Sequence, residues 1–178
     1  SYRNVVIFLV AYFLYIDGVG TIFMMAAPLS QDIGIPPGWL FGTILALQFL
    51  GFPFTILYGR LARRIPARKL IYLAIGIYVL ITLIVGIIPS LGGAGAKLAA
   101  FLIAAFLIGT SQGGIQSLSR SLFSELIPRE RASEFFGFYN IFGKFTTVLG
   151  PILIGVAVWL FGRSEYGITL LAVPFLAG

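Results

Sequence analysis

Asp17 and Lys144 are the residues here best suited to chemistry inside a membrane, and each stands as the lone charge in a long apolar stretch. A carboxylate at that depth can carry a proton, and an ammonium can hold an anionic group such as a carboxylate. Ionisable groups at mid-bilayer cost about 2.5–3.5 kcal/mol on insertion scales, so they face a cavity or a partner. Gly18 and Gly20 flank Asp17 and open the helix surface, and Thr21 follows one turn later on the same face. Asn140, Lys144 and Thr147 share another polar stripe by the same spacing. By helical rise Asp17 lies roughly 18 Å and Lys144 roughly 15 Å into its span, so an Asp17–Lys144 pair is geometrically allowed, the competing reading being that Lys144 faces a missing part of the protein. The chain has no His and no Cys. An imidazole proton shuttle, a thiolate metal site and a disulfide are therefore excluded, and no metal or cofactor is expected.

The stretch 109–121 carries two rows at four-residue spacing. Gly109, Gly113, Ser117 and Ser121 are small and predict close helix packing. Gln112, Gln116 and Arg120 run beside them as a polar row that cannot face lipid cheaply and is expected to border a wet cavity. Gln48 is a further polar group at mid-depth. Gly109 to Gly113 also matches G-x-S-x-G, the nucleophile elbow of hydrolases. That motif needs a strand-to-helix turn and a base. Here the run is helical and no His exists, so hydrolase chemistry is set aside.

These residues need long helices to position them. The chain has 178 residues, 59% hydrophobic and 10% charged. A soluble domain carries about a quarter charged residues, so an ordinary soluble surface is excluded. The apolar runs are continuous and helix-length, unlike the alternation of a membrane barrel. Six spans are read: about 5–27, 39–58, 70–88, 97–123, 135–160 and 167–178, the last too short to cross a bilayer, which takes about 20 residues. Turn residues from Pro28 to Gly38 join the first two, and Gly150-Pro151 is expected to bend the fifth. The fold class is thus an all-α integral membrane protein, a single domain of six transmembrane helices in contact with lipid.

Five of the twelve basic residues sit in Arg60, Arg63, Arg64, Arg68 and Lys69, between the second and third spans. The other basic connection holds Arg129 and Arg131. Basic residues mark cytoplasmic loops, which puts both termini in the cytoplasm. The same clustering explains the net charge of +6 without a nucleic-acid partner. The chain starts at Ser1 and ends at Gly178 inside an apolar run, which predicts a piece of a longer protein.

Gly59-Arg60-Leu61-Ala62-Arg63-Arg64 resembles the G-x-L-a-D-r-x-G-r-k loop signature of the major facilitator superfamily, at the corresponding place between the second and third spans of a six-span half. Arg63 replaces the usual Asp and Pro66 the second Gly. Four more stretches resemble the vacuolar-effluxer-like branch of that superfamily. They are Tyr15 to Thr21, Gly42-Thr43 with Gln48, Gly113 to Arg120, and Phe136-Gly137-Phe138-Tyr139 with Lys144. The resemblance implies a twelve-span parent, this chain being its C-terminal half and a missing six-span half its partner. It also implies alternating access around a central site, and a prokaryotic plasma membrane or a vacuole as location, the former favoured.

The residues and the resemblance together point to a secondary transporter of small solutes, amino acids among them by resemblance, and not to an enzyme. Asp17, Gln48, Gln112, Gln116, Asn140 and Lys144 are the expected pathway. Gly59, Arg63, Arg64, Arg68, Arg120 and Arg131 are the expected cytoplasmic gate. The second reading is a six-span membrane scaffold or assembly subunit without transport.

Overall fold

The computed structural model describes residues 2–145, 148–161 and 175, and among them all regular structure is helical. The order is α1 (Tyr2–Asp32), α2 (Pro37–Leu61), α3 (Ala67–Ile87), α4 (Ala94–Leu126), α5 (Ala132–Phe145) and α6 (Leu149–Phe161), with short 3-10 turns at Ile88–Ser90 and Arg129–Arg131. Among the described residues five stretches are long and apolar enough to cross a membrane, the fifth spanning Arg129 to Val156 and including α5 and part of α6. This is an all-α membrane protein. Of the sixth expected span only Phe175 is described, and Thr147 also falls outside the described residues.

Proline and glycine punctuate the chain. Pro37 opens α2 at a position where a missing N–H has no partner to lose. Pro66 precedes α3 in an extended conformation. Ile127 ends α4 in extended geometry (φ −98°, ψ 149°), as steric contact with the ring of a following proline, here Pro128, requires.

Two expectations are corrected. Residues 28–32 belong to α1 and not to the connection that follows it. Pro28 removes one amide donor, but Leu29 and Ser30 are buried, and the Ser30 hydroxyl donates to the Ala27 carbonyl at 2.7 Å. The helix stops at Gly34, whose φ is +74°. There the Ile35 N–H donates to the Ser30 carbonyl (2.7 Å) and the Gly34 N–H to the Gln31 carbonyl (3.0 Å), the paired closure of a Schellman motif. The fifth span is the second correction. The bend falls at Val148 and not at Gly150-Pro151, with α5 described as far as Phe145 and α6 from Leu149. Pro151 therefore sits in the first turn of α6, where it breaks no helical bond.

Helix α4 is the centre of the bundle, packing against α2, α3 and, more lightly, α1. Its glycines set the α2 distance. A Cβ on Gly109 would lie 2.9 Å from Leu47 Cδ2, one on Gly113 would strike the Thr55 hydroxyl, and one on Gly114 would strike the Tyr58 ring. The expected small-residue row thus packs at its glycine end, while Ser117 and Ser121 are exposed. On the α3 side Ile115, Tyr78 and Ile81 are completely buried, and Tyr78 stacks on Phe175 with centroids 5.5 Å apart. By contrast α2 buries only Leu40 and Tyr58, and Leu45, Phe49 and Phe52 stand out from it.

Candidate functional site

The Gln row decides where the site lies. Residues four apart on a helix share a face, so Gln112, Gln116 and Arg120 of α4 project together into a cavity of about 680 Å³. Asn140 reaches the same cavity from α5, Tyr12 from α1 and Thr55 from α2. No carboxylate lines it among the described residues. Arg120 is the cation in this wall, and its guanidinium carbon lies 5.3 Å from the centre of the Phe136 ring, inside the range of a cation–π contact. It stands roughly 9 Å from the end of α4 at Leu126 by helical rise.

An aromatic cluster braces that wall. Tyr12 and Tyr139 stack at 4.3 Å, Phe123 stacks on Tyr139 at 4.9 Å, and Phe136 meets Phe123 edge-on at 5.4 Å. The Tyr15 hydroxyl hydrogen-bonds the Ser119 hydroxyl at 2.7 Å, tying α1 to α4 where both are buried. The two Gln side chains thus stand on a helix held on both flanks, by glycine contacts to α2 and by aromatic contacts to α1 and α5. Sequence reading passed over Tyr12 and took Tyr139 only as part of the resemblance, not as a site residue. Their helical spacing, Phe8 with Tyr12 and Tyr15 on α1 and Phe136 with Tyr139 on α5, was the signal that could have found them.

Of the six pathway residues expected, the structure gathers Gln112, Gln116 and Asn140 into one cavity. Asp17 is fully buried beside it and is not in its lining. Thr21, also fully buried, donates to the Asp17 backbone carbonyl at 2.8 Å and fills the space above Gly150 of α6. Gly150 is therefore a close-approach position between α1 and α6. A Cβ on Gly18 would lie 2.6 Å from the Phe175 ring, so the neighbours of Asp17 are packed tightly. Lys144 is exposed, forms no ion pair with Asp17, and does not line the cavity, although Gly143 beside it does. The pair that the spacing allows is not formed because one partner lies in the core and the other on the surface. Gln48 is exposed on α2 and is likewise outside the cavity.

The expected gate residues also divide. Gly59, Arg63, Arg64 and Arg68 are exposed around the tight turn between α2 and α3, where the Arg64 N–H donates to the Leu61 carbonyl at 2.9 Å. Arg68 borders a second cavity of about 360 Å³ with Asn4 and Leu126, which shows that the starts of α1 and α3 meet the end of α4. Arg131 pairs with its exposed neighbour Glu134 at 2.8 Å. Arg120 belongs to the cavity wall instead.

Long apolar helices bordering an open cavity walled by amide side chains and an arginine define a polytopic helical membrane protein with a solute-sized pocket. The chain belongs to the family described as vacuole effluxer Atg22 like, whose model matches residues 1–178. It is 42% identical over its whole length to an uncharacterised MFS-type transporter, YxiO, of Bacillus subtilis, covering 40% of that protein. It is 32% identical over 163 residues to autophagy-related protein 22 of Vanderwaltozyma polyspora, covering 86% of this chain and 31% of that protein. The chain thus spans less than half the length of these relatives. No solved structure matches it.

Proposed function

We propose that the protein to which this chain belongs is a secondary transporter of small solutes, amino acids among them, working by alternating access. This chain supplies the C-terminal half. The observation that carries the reading is the amide row of Gln112 and Gln116 facing Asn140 across one cavity in an otherwise apolar bundle. Polar groups at that depth are expensive unless they meet water or a ligand. Amides both donate and accept, so they can replace the hydration shell of a polar solute. The chain covers 40% of its relative YxiO, which is compatible with a parent that carries further spans. The exposed face of α2, with Leu45, Phe49 and Phe52, is assigned to lipid and to that half.

In this reading Asp17 acts from behind the cavity wall. Its burial beside the α1–α6 crossing suits a group whose protonation is coupled to helix movement. Basic turns around Arg63 and Arg131 face the cytoplasm, as the bias of basic residues favours.

The test is uptake into proteoliposomes by the full-length parent, with and without a pH gradient. The screen covers amino acids and other small metabolites. Gln116→Leu is expected to lower uptake at least about tenfold, since it leaves a ligand polar group unpaired. A well-folded parent that moves none of these solutes would instead favour a scaffold role.

A further inference from the structure

We infer that Arg120 is the anchor for the ligand, and that the ligand class is small solutes bearing a single carboxylate. The inference rests on the transport reading above and deepens it.

Sequence reading assigned anion holding to Lys144 and gating to Arg120. The cavity lining points instead to Arg120 for anion holding. Both side chains are exposed, but Lys144 lies outside the cavity lining, whereas Arg120 stands in the wall at one end of the amide row. An arginine placed there without a lining carboxylate leaves a positive charge for an incoming anion to meet. The Phe136 ring lies 5.3 Å from the guanidinium carbon, a contact that uses none of the guanidinium's hydrogen-bond donors. A guanidinium edge matches two carboxylate oxygens in a fork, which an ammonium cannot reproduce. The charge balance sets the valence. One cation compensates one negative charge, and a phosphate dianion would bring a second charge into a poorly solvating span. Gln116 lies one turn before Arg120, and Asn140 faces the same space from α5. These amides suit the uncharged polar groups of such a solute.

The experiment uses the full-length parent in proteoliposomes, with matched pairs in which only the carboxylate changes, namely propionate against propionamide and lactate against lactamide. Leucine and inorganic phosphate complete the panel. The wild type is expected to take up carboxylates in preference to their amides, with phosphate competing poorly. Arg120→Gln should weaken apparent carboxylate affinity about 10- to 100-fold and erase the acid-over-amide preference. Arg120→Lys keeps the charge without the fork, so it should retain the preference with weaker affinity. Arg129→Gln removes the same charge from an exposed turn and should change neither. The acid-to-amide ratio is the deciding readout, because loss of folding lowers both members equally.

An acid-to-amide ratio left intact by Arg120→Gln overturns the proposal, whether or not total uptake falls. Should Arg120→Gln abolish all uptake, Arg120→Lys decides: the preference kept with weaker affinity supports the proposal, and an unchanged carboxylate affinity overturns it. Uptake of neutral solutes without carboxylates, or phosphate competing as well as carboxylate, also overturns it and leaves the carrier reading standing. Uptake of no solute from either class removes the carrier reading and this one with it.

Discussion

Gly114 and Gln116 are two residues apart on α4 and face nearly opposite ways, one pressed on the Tyr58 ring and the other open to the cavity. The glycine matters because lipid offers no hydrophobic drive to bring helices together, and close van der Waals contact must do it. A methyl group on Gly114 would clash with the edge of the Tyr58 ring, whose base is anchored to the α2 backbone and cannot swing far. Gly114→Ala is therefore expected to destabilise by about 1–3 kcal/mol through overpacking. Gly76 on α3 has nothing within 4 Å of an added Cβ and is exposed. Gly76→Ala should instead stabilise by about 0.5–1 kcal/mol through helix propensity. Thermal melting of the full-length parent in detergent reads both, and the two shifts should have opposite signs. Equal shifts would show that α2 and α4 are not held by this contact. The small residue at position 114 was legible in the sequence. Which neighbour it admits was not, because that depends on the rotation of α2.

At the scale of the element, the end of α1 shows how local chemistry outweighs a single proline. Pro28 leads the eye to a break, yet the helix runs on to Asp32 because Leu29 and Ser30 are buried. Termination falls to Gly34, the residue able to take φ +74° without strain. Gly34→Ala should cost about 1–2 kcal/mol, the penalty for a Cβ in the left-handed region. Gly38 lies in the first turn of α2 with open space around it, and Gly38→Ala should be neutral or better. Hydrogen exchange at the Gln31–Ile35 amides gives a second readout, since those protons close the motif. Faster exchange in the Gly34 variant is expected. Unchanged exchange with unchanged melting would mean that the connection tolerates another cap. The break between α5 and α6 carries the same lesson. Gly150-Pro151 drew attention as a hinge, but the proline occupies a first turn and the glycine accommodates Thr21.

For the whole molecule, the arrangement around α4 divides labour between its faces. One face is sealed by α3, another by glycine contact with α2, and the remaining polar row borders the cavity. The basic turn at Arg63–Ile65 and the exposed Arg131–Glu134 pair follow the C-terminal ends of α2 and α4, so both belong to one end of the bundle. Basic residues resist translocation, and we expect that end to face the cytoplasm. This chain contains no Cys. Single cysteines at Arg63 and at Gly92, in a parent freed of other cysteines, should label from opposite sides of intact cells. Position 92 is expected to react with an impermeant maleimide from outside and position 63 only after permeabilisation. The reverse pattern would overturn the assigned orientation while leaving the packing intact.

Composition and periodicity by themselves determined the helical membrane class and the polar rows on α4; of the six spans read, five have counterparts among the described residues and the sixth lies almost wholly outside them. Those properties depend on the length of apolar runs and on the 3.6-residue turn, both of which are local. The tertiary structure decided which polar groups meet. It gathered Gln112, Gln116, Asn140 and Arg120 from two helices, placed Asp17 in the core and Lys144 on the surface, and braced the cavity with Tyr12 and Tyr139. Depth along a helix can be counted from sequence. Rotation about the helix axis, which decides whether a side chain faces a cavity, a neighbour or the outside, is set by packing against the other helices.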